Sequence, residues 1–134
     1  MAGTLVDSNV LLDVLTDDAE WSDWSSAMLE DAAHRGALYI NPVVYAEVSI
    51  HFSSVEDLDD ALSRDYYRRA DLPWNAAFLA GRAFLKYRRG GGVRRSPLPD
   101  FFIGAHAFVL GCGILTRDPT RYRGYFPKVP VVTP

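Results

Sequence analysis

A chain of 134 residues with 49% hydrophobic and 13% aromatic content predicts one folded domain over residues 1–134 and excludes a disordered tail. A single cysteine excludes an intrachain disulfide, and no apolar run reaches the ~20 residues needed to span a bilayer. The net charge of −3 hides a split: fourteen of the seventeen acids lie in residues 1–65, and twelve of the fourteen lysines and arginines lie beyond them. Such a split points to two faces with different partners, the basic one suited to nucleic acid.

The first predicted element is a short apolar strand, Thr4 to Val6, ending at Asp7. No basic leader precedes it, so a cytoplasmic location is expected. A helix over Asn9 to Leu15 follows, with Val10, Leu11, Val14 and Leu15 inward and Asp13 in solvent. Trp21, Trp24, Ser25, Met28, Leu29 and Ala32 recur at helical spacing and predict an amphipathic helix, its tryptophans in the core, that Gly36 ends. Asp17, Asp18, Glu20 and Asp23 around its start read as caps or solvated charges.

Ala37 to Ile40 is a second strand, and Asn41-Pro42 is a fitting N-cap and first-turn pair for a helix running to about His51. Leu58, Ala61 and Leu62 mark a short helix with an acidic opening, and Ala76 to Arg88 a longer one. Glycines and prolines from Arg89 to Pro99 break any periodic element. An apolar helix then begins at Asp100, with His106 as a core histidine, followed by a strand over Gly113 to Leu115, a turn at Asp118-Pro119 and a last strand over Val129 to Val132.

Strands alternating with helices predict a parallel sheet covered on both faces, in which ligands bind beyond the carboxyl ends of the strands. Asp7 and Asp118 both follow strand ends and should share that rim. With Glu47 and Asp100 they make four candidate carboxylates. Carboxylates gathered in a partly dry cleft repel one another unless a cation offsets the repulsion. Oxygen-only ligands select a hard ion, Mg²⁺ or Mn²⁺. Beside a basic surface such an ion suits phosphodiester hydrolysis. Arg94 and Arg95, shortly before Asp100, are candidate phosphate contacts. The plain alternative for Asp118 is to cap the turn at Pro119.

Four segments, Leu5-Val6-Asp7-Ser8-Asn9-Val10-Leu11-Leu12, Tyr45-Ala46-Glu47, Leu98-Pro99-Asp100-Phe101-Phe102-Ile103-Gly104-Ala105-His106-Ala107 and Leu115-Thr116-Arg117-Asp118, resemble the PIN-domain ribonucleases. Within these the chain is similar to the VapC toxins of bacterial toxin–antitoxin pairs. The ending Tyr122-Arg123-Gly124-Tyr125-Phe126-Pro127, followed by Val129-Pro130-Val131-Val132, is also similar to that family. The resemblance covers nearly the whole chain; each motif alone is weak, and the four in order are specific. It implies a three-layer α/β/α fold with a central parallel sheet, a Mg²⁺- or Mn²⁺-dependent endoribonuclease acting on RNA, a homodimer and a cognate antitoxin. It implies Asp7, Glu47, Asp100 and Asp118 as catalytic, metal-holding acids, with Ser8, Asn9 and Thr116 as their polar supports.

Three other classes compete. A silent RNA-binding module of the same fold has no use for four mutually repelling acids. A housekeeping nuclease would share the site and lack an antitoxin. A phosphoryl-receiver domain wants an acidic pair beside the first strand and a suitably placed late lysine, whereas Lys128 follows Pro127 beside the last strand. No Gly-x-x-x-x-Gly-Lys-Ser/Thr loop supports nucleotide hydrolysis.

Overall fold

The computed structural model describes residues 3–92 and 97–134. Arg94 and Arg95 lie outside the described residues. Among the described residues, five parallel strands form one sheet in the order β3-β2-β1-β4-β5. They are β1 (Thr4–Val6), β2 (Leu38–Ile40), β3 (Tyr67–Arg69), β4 (Gly113–Leu115) and β5 (Val131–Val132). Seven helices among the described residues connect and cover them: α1 (Ser8–Leu15), α2 (Ser22–Arg35), α3 (Pro42–Ser49), α4 (Val55–Ala61), α5 (Trp74–Arg89), α6 (Leu98–Leu110) and α7 (Thr120–Tyr125). The architecture is the expected three-layer α/β/α arrangement. Among the described residues no helix is long and apolar enough to cross a membrane.

Strand order explains why the strands are so apolar. β1 lies between β2 and β4, with Leu5 and Val6 fully buried, and Ile114 and Leu115 of β4 are equally so. A strand covered on both faces needs apolar residues at every position. From β1 the chain moves outward to β2 and β3, and later returns to β1's other side with β4. This reversal opens a crevice at the carboxyl ends of β1 and β4, the usual ligand position in such sheets. The backbone N–H of Asp7 still pairs with the Leu115 carbonyl at 2.9 Å, so the sheet fixes Asp7 on that edge.

Two elements had no strong signal in the sequence. β3 reads Tyr-Arg-Arg and is an edge strand, with only Tyr67 buried. α7 is the other, a six-residue helix where only a turn is expected from Asp118-Pro119. Helix α6 also starts two residues before Asp100, because Pro99 is tolerated in the first turn, where its missing N–H loses no bond. Gly104 lets α7 pack closely on α6: a Cβ there would lie 2.4 Å from the Phe126 ring. At the other end of α6, Gly111 adopts a left-handed φ of 72° and caps the helix.

Two buried polar groups differ in how well they were foreseen. His106 is in the core as expected, its Nδ1 3.0 Å from the Asn41 amide nitrogen. Since Asn41 Nδ2 donates, Nδ1 accepts and the proton belongs on Nε2. Asn41 Oδ1 in turn accepts the Val44 N–H and caps α3. Val10 and Leu11 are buried as expected, but Asp13 is buried too, at 3% exposure, and Leu15 is at the surface, so the inner face of α1 is shifted toward Asp13. An ionic partner explains the burial of Asp13, since Arg117 donates to both Asp13 oxygens at 2.7 and 3.0 Å and Ser25 Oγ adds a third bond at 2.7 Å. Trp21 is correspondingly only half-buried, with the Arg117 guanidinium 5.1 Å above its ring, and Trp24 is also half-buried. The core positions of α2 are Ser25, Leu29 and Ala32.

Candidate active site

Asp7 anchors the site. It follows β1 and is 5% exposed. Its Oδ1 accepts the Ser8 N–H at 2.7 Å, and its Oδ2 accepts Tyr122 Oη–H at 2.8 Å and Thr116 Oγ1–H at 2.9 Å. Three donors on one carboxylate favour its charged form, yet burial dominates and raises its pKa. Thr116 is fully buried just past β4; its hydroxyl also accepts the Asp118 N–H at 3.0 Å and the Asn9 amide at 3.3 Å. Asn9 Oδ1 accepts the Arg117 N–H at 3.2 Å. Asn9 and Thr116 therefore hold the turn after β4 against the start of α1.

Glu47 projects from the middle of α3 toward the same edge, where Ser8 Oγ donates to its Oε1 at 2.8 Å. Burial raises its pKa first, and the nearby Asp7 adds to the rise. Asp100 lies in the first turn of α6, where the helix dipole favours a carboxylate. Its pKa is nevertheless pushed up to about 6, by burial first and Asp7 next, with Glu47 and Asp118 adding repulsion and Arg121 opposing it. Arg121 reaches Asp100 Oδ2 at a long 3.4 Å, a weak contact, with its guanidinium 5.7 Å from the Tyr87 ring centre.

Asp118 is exposed at the outer edge. The cap position of α7 is Pro119, with no side-chain cap bond, so Asp118 does not serve as the cap that its sequence context allows. It is the least held of the four acids, felt by Asp7 and Asp100 only through its charge. His51 is exposed past the end of α3.

Among the described residues no group of three or more His, Cys, Asp or Glu side chains is gathered closely enough to hold a metal ion as they stand. Each inner carboxylate instead faces a protein donor: Asp7 faces Tyr122 and Thr116, Glu47 faces Ser8, and Asp100 faces Arg121. The donor set still fits a hard divalent cation. All four candidates are oxygen ligands, and Asp7, Glu47 and Asp100 each have their acidity weakened by a neighbouring carboxylate. An ion entering there would compete with Ser8 for Glu47 and with Arg121 for Asp100.

The chief residue missed in the sequence is Tyr122. It is 1% exposed, and its pKa is raised well above the usual tyrosine value, by burial first and then by the charges of Asp7 and Asp100. At neutral pH it stays protonated and donates to Asp7. Tyr122→Phe is expected to weaken Mn²⁺ binding about 10–100-fold, the usual effect of losing a partner that orients a ligand. Calorimetric titration checks this, and an unchanged Mn²⁺ affinity would show that the tyrosine only fills space.

No curated protein matches the sequence. Solved structures with the same fold include VapBC2 from Rickettsia felis bound to a promoter DNA fragment, at TM-score 0.75 and 16% identity over 97% of each chain. A toxin–antitoxin complex from Klebsiella pneumoniae matches at TM-score 0.72 and 20% identity, covering 98% of this chain and 97% of that one. FitAcB from Neisseria gonorrhoeae matches at TM-score 0.71 and 16% identity, covering 97% and 96%. Residues 4–126 match the PIN domain family, whose fold is the one built here around Asp7. By that match, the chain belongs to the PIN domain family.

Proposed function

We propose that this protein is a divalent-metal-dependent endoribonuclease of the VapC toxin type, held in check by a cognate antitoxin. One observation carries the reading: Asp100 sits in the combined field of Asp7, Glu47 and Asp118, which together with burial weakens its acidity. A fold that gathers repelling acids at a sheet's switch point gains from them only when a cation arrives. Mg²⁺ or Mn²⁺, when bound, supplies charge neutralisation for the phosphoryl oxygens and eases deprotonation of the attacking water. Asp7, Glu47, Asp100 and Asp118 are the proposed ligands.

The protein's own groups do the rest. Tyr122, Thr116 and the Ser8 N–H fix the plane of Asp7. Ser8 ties Glu47 to the same turn, and Asn9 holds the Thr116–Asp118 turn in place. Arg121, weakly held by Asp100, is free to turn toward a phosphate once a cation takes that carboxylate. Arg94 and Arg95 are proposed phosphate contacts on sequence grounds alone. Their joint change to Ala should flatten the salt dependence of RNA binding by about one unit per lost contact.

A protein partner is supported by Trp74 and Phe78 on α5, exposed at 92% and 64%, and by the toxin–antitoxin complexes among proteins of this fold. A second toxin subunit pairing through another face completes the proposed assembly. Purified protein should cleave RNA with Mn²⁺ and not with EDTA. Expressed alone in bacteria it should arrest growth, and co-expression of the neighbouring gene should relieve the arrest. Cleavage without growth arrest would leave a nuclease and remove the toxin. Folded protein that cuts no RNA in Mn²⁺ would remove both.

A further inference from the structure

The same carboxyl edge continues past the carboxylates to β2 and β3. The Ala70 N–H extends the pairing of these strands by bonding the Ile40 carbonyl at 2.9 Å. Just beyond lies a cleft of about 470 Å³ with Pro42, Tyr45, Arg64, Arg69 and Asp71 in its walls. A second cleft, of about 420 Å³, is almost wholly apolar and runs from Glu47 along Ala46 and Phe102 to Pro42. Pro42 lines both, so the two clefts adjoin at that residue, one reaching a proposed metal ligand and the other a pair of arginines. Each volume falls within the roughly 300–1,000 Å³ of small-molecule sites.

The polar groups of the outer cleft are set in advance. The Arg69 guanidinium lies 5.0 Å from the Tyr45 ring centre, and its NH2 donates to Asp59 Oδ1 at 2.8 Å. The Tyr45 hydroxyl donates to that same oxygen at 2.7 Å. Arginine and tyrosine are thus held together by Asp59, the guanidinium over the ring, while Arg64 is exposed beside them. An aromatic or guanidinium plane flanked by an exposed cation suits an unpaired nucleotide, the base on the plane and the phosphate on the cation. Asp71 at the same cleft makes the site poor for a free anion and suited to a ligand that also carries N–H donors, as nucleobases do.

We propose that the cleft of Tyr45, Arg64 and Arg69 is a nucleotide-binding subsite, receiving an unpaired RNA nucleotide that flanks the scissile phosphate, with the apolar trough over Pro42 carrying the strand between them. This rests on the ribonuclease reading above. Base-paired RNA cannot deliver a base into the cleft, so the subsite selects single-stranded segments.

The test uses the full-length protein in EDTA, where the RNA stays intact, and follows anisotropy of a fluorescent, mixed-sequence single-stranded RNA. Arg64→Ala and Arg69→Ala should each weaken binding about tenfold, the scale of losing one stacked or phosphate-bound nucleotide. Arg64→Ala should also lower the salt slope by about one. Arg35→Ala, on α2 and paired only with Asp31 at the surface, removes the same charge and should change affinity less than about twofold. The losses should vanish on a duplex of the same sequence. Equal losses for Arg35→Ala, or equal losses on duplex, would reduce the arginines to bulk charge and overturn the subsite. Failure of the ribonuclease reading appears separately, as wild-type protein that binds this RNA and leaves it uncut in Mn²⁺.

Discussion

Asp100→Asn is expected to abolish RNA cleavage while making the metal-free protein more stable. The asparagine keeps the shape of the side chain and removes both a metal ligand and a repelling charge. Loss of activity should exceed the ~10–100-fold typical of residues that merely orient a ligand. The stability effect follows from linkage. Burial and the neighbouring carboxylates push Asp100 up to about 6 in the folded protein, from an ordinary 3.8. Between those values the folded state holds more protons than the unfolded one, so stability falls as pH rises through that window. The destabilisation is complete above about 6 and absent below 3.8. Its ceiling is about 3 kcal/mol, reduced by solvent screening because 31% of the side chain is exposed.

In EDTA near neutral pH the variant should therefore melt above wild type, and the gap should close as the pH approaches 4. Mn²⁺ should reverse the order. Wild type gains about 2.7 kcal/mol at a hundredfold excess over the dissociation constant, and a protein lacking a ligand gains less. Cleavage retained by Asp100→Asn, or a lower melting temperature than wild type in EDTA at neutral pH, would remove Asp100 from the site.

The sequence carried the sheet's interior better than its margins. β1, β2 and β4 are short apolar runs at regular places, and a strand buried on both faces leaves just that pattern. β3 offers two arginines to solvent and one buried tyrosine, so nothing in its composition marks an edge strand. α7 has six residues, too few for a helical period to appear, and the Tyr122 it carries was therefore visible only as part of a family-like ending. The acids were legible because charge stands out at the end of an apolar run. Of their donors, Ser8 and Thr116 were legible as such only through the family resemblance, and Tyr122 not at all. A tyrosine has an ordinary place in any core, and only three-dimensional closure brings Thr116 and Tyr122 onto one oxygen of Asp7.

Asp13 shows the opposite failure: helical spacing from Val10 to Leu15 gave no sign that a charge would replace Leu15 in the interior. What fixes it is Arg117, more than a hundred residues away in sequence.

That pair should be the strongest ionic contact among the described residues. Asp13 is 3% exposed, and Arg117, at 29%, meets it with two parallel donors and also covers Trp21. Arg117→Ala leaves a buried carboxylate with only Ser25 as a side-chain donor. Breaking a buried pair from one side costs about 3–5 kcal/mol, and the partial exposure of Arg117 places the loss near the lower figure. An apolar replacement of both partners, Asp13→Leu with Arg117→Met, leaves no buried charge and should recover most of the stability. Activity should not follow it. Arg117 directly precedes Asp118, and its ion pair ties that turn to α1 beside the weaker Asn9 bond at 3.2 Å. With the pair gone, the turn carrying Asp118 keeps only its Thr116 and Asn9 bonds among those described, and cleavage should fall about tenfold even in the restabilised double variant. Melting temperature and cleavage rate across the single and double variants separate the two roles. A double variant that regains both would make the pair a matter of folding alone, whereas regained stability with lost activity makes Arg117 a positioning residue for Asp118.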